Sequence, residues 1–171
     1  IVDEAIIDAL YRASQVGVPI ELVIRGICAV RPGIEGYSET IRVRSVLGRY
    51  LEHSRIFSFE NGGEQDTYIG SADLMHRNLD RRIEVLVRIV DREHLARIGR
   101  FFEFAFSNEV SSWRMLPDAS WQRRVISDEG ETLRHSGIVA TPRSVVAFVE
   151  VLTRSLAEHR RRHGGAGLEP E

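Results

Sequence analysis

Three groups of side chains have the types and spacing for phosphate chemistry. His53 and Arg55 stand two residues apart in a run that reads as a strand, 53–59. Residues i and i+2 of a strand share a face, so imidazole and guanidinium point the same way. Such a pair sits badly in a core, because both groups need polar partners, but it suits an oxyanion. The plainer alternative is a strand facing water. Gly70-Ser71-Ala72-Asp73 follows a short strand, 67–70, that the Asn61-Gly62-Gly63 turn returns beside His53. Glycine admits close approach of a ligand to the backbone, and Ser71 and Asp73 can bond an imidazole or a phosphate oxygen. A capped turn is the alternative here. Arg25 closes an apolar run and precedes Gly26, which places it at the ligand edge of a sheet, the alternative being a surface arginine whose stem lies along the apolar residues. Arg42, Arg44, Arg49, Arg81 and Arg82 add further charge.

Composition bounds the answer. The chain has 171 residues, 43% of them hydrophobic and 28% charged, which describes a globular chain with a core. All 23 basic residues are arginine, so no lysine-dependent mechanism can run on this chain alone. The formal net charge is only -2. No apolar run is long enough to span a bilayer. Asp3, Glu4 and Asp8 interrupt the first apolar residues, against a signal peptide. The single cysteine, Cys28, excludes a disulfide framework and a cysteine zinc site and suits a reducing cytoplasm. A membrane-surface association is left open. The chain opens on Ile1 directly before a helical pattern, so a piece of a longer polypeptide is expected.

The elements that must position these groups alternate between helix and strand, the mark of an α/β fold. Residues 3–16 carry apolar side chains at Ile6, Ile7, Leu10, Ala13 and Val16, a helical period, and Gly17 ends it. Residues 20–24 form a buried β-branched strand, 26–41 a long loop punctuated by Gly26, Pro32, Gly33 and Gly36, and 42–47 an alternating strand with Arg42 and Arg44 on one face. Residues 82–90 read as another strand. Residues 91–107 read as a helix with a stripe of Leu95, Ile98, Phe102 and Phe106. A hairpin is expected over 120–134. A helix is expected from Thr141-Pro142 to about Arg162, then a frayed tail. The expected architecture is one mixed sheet flanked by helices, with a C-terminal hairpin and helix. The expected division is 1–110 for the catalytic domain, 111–163 for an extension and 164–171 for a tail.

The order His53-x-Arg55, Glu60, Gly70-Ser71-x-Asp73 resembles the phospholipase D signature, His-x-Lys, an acid, then Gly-Ser-x-Asn, with Arg, Glu and Asp replacing Lys, Asp and Asn. A longer set of matches covers residues 20–86. It includes Val23-Ile24-Arg25-Gly26, Gly48-Arg49-Tyr50-Leu51-Glu52-His53-Ser54-Arg55, Phe59-Glu60-Asn61-Gly62-Gly63, Tyr68-Ile69-Gly70-Ser71-Ala72-Asp73 and Arg77-Asn78-Leu79-Asp80-Arg81-Arg82-Ile83-Glu84-Val85. These stretches resemble the C-terminal part of bacterial polyphosphate kinase, a family with a phospholipase-D-like fold.

The resemblance implies reversible transfer of the terminal phosphate of ATP onto polyphosphate, with ADP as product, Mg2+ as cofactor and a phosphohistidine intermediate. It implies that Arg25 contacts ATP and that His53 is a second active-site histidine at the ATP phosphates. The phosphorylated histidine and the metal ligands then belong to a preceding domain, so the partners are ATP, polyphosphate, that upstream domain and further copies of the chain. Arg25, Arg42, Arg44, Arg49, Arg55, Arg81 and Arg82 supply positive charge, with Ser71 and Asp73 beside them, which suits the positioning and neutralisation that phosphoryl transfer demands. Leu74 replaces the usual tryptophan and Ser58 a common aromatic, and both are expected to reshape the pocket wall. Half of a phospholipase-D-like phosphodiesterase and a non-catalytic polyanion or RNA module are the alternatives. His76 reads as a surface residue, and His94, His135, His159 and His163 lack metal-ligand spacing.

Overall fold

The computed structural model of the chain describes residues 1–46, 53–107, 110, 112–126, 132–135 and 153–154. The elements run α1 (Glu4–Gln15), β1 (Ile20–Val23), β2 (Ile41–Val46), β3 (Ile56–Asn61), β4 (Glu64–Gly70), α2 (His76–Leu79), β5 (Leu86–Ile89), α3 (Arg92–Phe106), β6 (Ser112–Met115), β7 (Trp121–Ile126), β8 (Thr132–His135) and β9 (Thr153–Arg154).

Helix α1 starts where Asp3 accepts from the Ile6 amide at 3.0 Å, satisfying one of the free donors of the first turn. It ends at Gly17, whose N–H donates to the Ser14 carbonyl at 2.8 Å and whose φ of 83° turns the Val18 amide back onto the Ala13 carbonyl at 3.0 Å. The next residues are β-branched, and Ile20, Leu22 and Val23 become buried in β1. Strand β2 lies parallel to β1, with Ile20 opposite Ile41. The connection between them contains no regular helix. The buried Ser38 holds it instead, donating to the Arg31 carbonyl at 2.6 Å and accepting from the Ile34 amide at 2.9 Å.

The expected single sheet is two sheets. One has the order β1-β2-β6-β7-β8, the other β5-β4-β3-β9. The sequence from 53 to 90 favours local antiparallel pairing. The Gly62-Gly63 turn, with φ of 69° and 98°, folds β3 onto β4, and β5 adds to β4. The strand expected over 42–47 instead pairs with β6, bringing Arg44 opposite Arg114. β7 and β8 form the expected hairpin, whose turn lies outside the described residues. Thus β6, β7 and β8 continue the sheet that β1 and β2 begin.

The main core lies where α1, the first sheet and Phe57 of β3 meet, around Leu10, Ile20, Leu22, Ile41 and Val43. Burying each such side chain contributes roughly 1.5–3 kcal/mol. On the other side α3 lays Phe102 and Ala105 against Val23 and Ile56. The expected strand over 82–90 is shorter, because Ser71 rather than β4 engages the backbone at Val85. At Thr153–Arg154 the expected C-terminal helix gives way to a two-residue strand parallel to Phe59 and Glu60. The free edge of β3 needs backbone partners, and β-branched Thr153 suits a ladder. The rest of that expected helix lies outside the described residues.

Candidate functional site

The site forms where β1 ends and β3 begins. Ile24 extends the β1 ladder by donating to the Arg44 carbonyl at 2.8 Å, and Arg25 leaves at the strand's end before Gly26, whose φ is 106°. At β3 the Gly70 amide donates to the Arg55 carbonyl at 2.9 Å, which sets Arg55 beside the turn carrying Asp73. The guanidinium then makes a two-pronged bond. Nε donates to Asp73 Oδ1 at 3.0 Å and Nη2 to Oδ2 at 3.2 Å. These side chains keep only 10% and 16% of their exposure. The remaining nitrogen, Nη1, donates to the His53 carbonyl at 3.2 Å and lies 3.1 Å from the imidazole Nδ1.

His53 itself is exposed and sits before β3 rather than within it. Arg55 also lies before β3, so the ring stands with Arg55 through the contacts of Nη1 and not through a shared strand face. Arg25 is partly buried and acts electrostatically on Asp73. Burial pushes the Asp73 carboxyl up. The hydrogen bonds and charge of Arg55, with Arg25 adding to them, outweigh burial and hold it below its ordinary 3.8. Asp73 thus bonds Arg55 and feels the charge of Arg25, and His53 touches Arg55.

Ser71 has a different place from the one expected. Its hydroxyl donates to Glu84 Oε2 and accepts from the Val85 amide at 3.0 Å, so it braces the turn. Asn78, buried to 1% exposure, donates to Glu84 Oε1 at 2.8 Å. The bonds from Ser71 and then Asn78 hold the Glu84 carboxyl below its ordinary 4.5, with Arg82 and Arg55 adding. Glu84 is a site-bracing residue that sequence reasoning missed. Its signal was a lone acid in the otherwise apolar run Ile83-Glu84-Val85-Leu86. Gly70 is required for the same closure, because a Cβ there would meet the Val85 carbonyl oxygen and a Leu86 methyl, both at 3.0 Å.

Arg82 reaches the cluster only through Glu84, at 4.0 Å, and Arg81 is exposed beyond α2. Arg49 lies outside the described residues. Arg42 and Arg44 belong to another group. Arg42 bonds Glu21 at 3.1 Å, and Arg44 donates to the Phe106 and Ser107 carbonyls at 2.6 and 3.0 Å, across the face of the first sheet. The imidazole of His76 lies within 3.2 Å of carboxylates from Asp3, Glu4 and Asp80.

An apolar cavity of about 310 Å³ lies beside Glu84, walled by Phe57, Phe59, Tyr68, Leu74 and Leu86. Leu74 shapes it as expected. Ser58 does not, because its hydroxyl faces the other way and pairs with Thr67 Oγ1 at 2.9 Å. The Mg2+ implied by the resemblance needs anionic oxygens. Both oxygens of Asp73 accept from Arg55, and those of Glu84 from Ser71 and Asn78. Among the described residues no three His, Cys, Asp or Glu gather as a metal site. These residues do not fit that ion.

Residues 1–135 match the family described as polyphosphate kinase C-terminal domain 2. The polyphosphate kinase of Streptomyces coelicolor is 58% identical over 134 residues, 78% of this chain and 18% of its own. That of Mycobacterium avium is 54% identical over the same length, again 78% of this chain and 18% of its own. The polyphosphate kinase 1 of Chlorobaculum tepidum is 51% identical over 121 residues, 71% of this chain and 17% of its own. The chain therefore spans under a fifth of the length of these relatives. The crystal structure of polyphosphate kinase from Porphyromonas gingivalis superimposes with a TM-score of 0.66 and 31% identity, over 96% of this chain and 22% of that one. A family match over most of the chain, with the fold of a solved member beneath it, establishes that the chain belongs to the polyphosphate kinase family, as its C-terminal portion.

Proposed function

We propose that this chain is the C-terminal, phosphate-binding portion of an ATP:polyphosphate phosphotransferase. The observation that carries the reading is the two-pronged bond from Arg55 to Asp73 that leaves Nη1 beside an exposed His53, with the charge of Arg25 acting on the same carboxylate. Asp73 fixes two of the Arg55 nitrogens and leaves Nη1 toward His53. An oxyanion beside the imidazole then meets a guanidinium already held in place, so little ordering remains when it binds. Each desolvated contact of this kind is worth roughly 1.5–3 kcal/mol.

In the reaction the family resemblance implies, a histidine nitrogen on a preceding domain forms a bond to the γ-phosphorus of ATP, and the bond to the ADP oxygen breaks. A terminal oxygen of polyphosphate then attacks that phosphorus, and the phosphorus–nitrogen bond breaks. In both steps Arg25 and Arg55 neutralise charge on the phosphate oxygens, and His53 holds or donates a proton at one of them. The alternative of a phospholipase-D-like hydrolase is separated by assay, since it predicts release from a chromogenic phosphodiester without ATP.

The test is His53→Ala in the intact enzyme. ATP-dependent polyphosphate synthesis is expected to fall by about 100-fold or more, as for loss of an acid–base group. The melting temperature should hold, because His53 is exposed. Synthesis at the unaltered rate would overturn the assignment.

A further inference from the structure

The arginines left out of the His53 cluster form a group of their own. The register aligns Glu21 with Arg42, Val23 with Arg44 and Arg114, and Ser112 with Arg124. Residues aligned across strands share a face, so Arg42, Arg44, Arg114 and Arg124 all stand on one side of the first sheet. Three adjacent strands, β2, β6 and β7, present them over a width of about 10 Å. Helix α3 covers Val23 and Val46 on this side and stops where Arg44 holds its last carbonyls. Arg114 is exposed and Arg124 half-buried. The surroundings of Arg44 show how positive the face is. Burial lowers its pKa most, Arg124, Arg114 and Arg42 lower it further, and Glu21 alone among the leading charges opposes them.

We propose that this arginine face is a second anion site, which grips the body of a linear inorganic polyphosphate while its end is worked on at His53. The proposal rests on the function assigned above and deepens it. Geometry connects the two places. Val23 lies beside Arg44 in the register, and Arg25 is two residues further along the same chain, about 7 Å in extended backbone. The row of arginines therefore leads toward the strand ends where the cluster sits.

The chemistry favours bare phosphates over nucleic acid. Single-stranded nucleic acid is held by bases stacked on aromatic rings. The tryptophans of β6 and β7, Trp113 and Trp121, align with residues of the opposite face, and Trp113 lies under Arg123. Phe106, at the arginine face, lies beneath the Arg44 guanidinium. Forked guanidiniums that have no open stacking platform beside them among the described residues match a polymer made of phosphates alone.

The test compares long-chain polyphosphate with tripolyphosphate binding to the intact enzyme, before and after the triple change Arg42→Gln, Arg114→Gln and Arg124→Gln. Arg44 is kept because it caps α3. The ratio of long-chain to short-chain affinity should fall about tenfold, since three guanidiniums on an open face are removed. The slope of log affinity against log salt should flatten by about 2 for the long chain, at ~0.7 per phosphate no longer neutralised. The triple lysine variant, which keeps the charge, should retain most of the long-chain preference, which guards against a folding artefact. An unchanged ratio overturns the second site and leaves the His53 assignment standing. An unaltered enzyme that binds neither polymer overturns both. Binding of an RNA homopolymer tighter than polyphosphate, with equal sensitivity to the triple change, overturns the choice of ligand.

Discussion

Two groups of arginine, built into neighbouring parts of one small molecule, are managed in opposite ways. Arg55 is taken from solvent and fixed by both oxygens of Asp73, so its charge is largely compensated and its position is set. Arg42, Arg114 and Arg124 stand on a sheet face where Glu21 pairs with Arg42, and the Arg42 side chain keeps 70% of its exposure. The first arrangement gives direction. The second gives a field. A transferring phosphoryl group needs donors at defined points, whereas a long polymer of similar units gains from attraction wherever it lies. The acidic partners, and not the arginines, tell the two roles apart.

Removing one acid from each group puts that contrast at risk. Asp73→Asn leaves a mostly buried guanidinium without its countercharge. It should cost about 2 kcal/mol of stability, seen as a lower urea midpoint, because an unpaired buried charge is far more costly than a missing surface pair. Synthesis by the intact enzyme should drop with it. Glu21→Gln should change stability by under about 1 kcal/mol, since exposed ion pairs are worth little. It should tighten long-chain polyphosphate binding rather than weaken it. Equal stability losses from the two variants would erase the distinction.

A backbone change probes the same contrast from another side. Gly70→Ala puts a methyl 3.0 Å from the Val85 carbonyl oxygen, a contact that backbone must move to relieve. Overpacking of this kind costs about 1–3 kcal/mol. The movement would spread to Ser71 and Glu84, which share the same closure, and so to Asp73. Activity should therefore fall while the long-chain preference of the arginine face stays. Melting curves and the two-polymer ratio read the two effects separately.

The two arginine groups differed in how far they could be read from sequence. His53-x-Arg55 and Gly70-Ser71-x-Asp73 are short patterns joined by a hairpin with a strong glycine turn, so local rules bring them together. Helix α1 and strand β1 likewise follow from the helical period, the glycine and the β-branched run. Strand β6 carries no such mark. Ser112-Trp113-Arg114-Met115 is four residues long, and its place beside β2 comes from a pairing across more than sixty residues. Arg114 and Arg124 therefore could not be grouped with Arg42 and Arg44 from spacing. The same limit hid Glu84. Its partners Ser71 and Asn78 are close in space only because β5 turns back along β4. The division of the strands into two sheets is again a matter of long-range pairing, which the periodicity of each strand does not encode.

The weakest of these effects lies beside the fixed group, at His76. Its imidazole meets Glu4 at 2.6 Å and Asp3 and Asp80 at 3.2 Å, linking the start of α1 to the segment that carries Asp73. The bond to Glu4 chiefly, with the Glu4 charge and Asp80 and Asp3 adding, raises the pKa above its ordinary 6.5. A raised pKa means that the folded state binds the proton more tightly than the unfolded chain does. The stabilisation is therefore complete below 6.5 and fades as pH climbs through the raised value. The ring is exposed, so the effect is small. The difference in melting temperature between the unaltered chain and His76→Ala should be positive near about pH 6 and close by about pH 9. Asp73 works in the opposite sense, its contribution being lost only as pH falls below 3.8. A gap for His76→Ala that instead widened with rising pH would mean that the three carboxylates do not hold this histidine in its charged form.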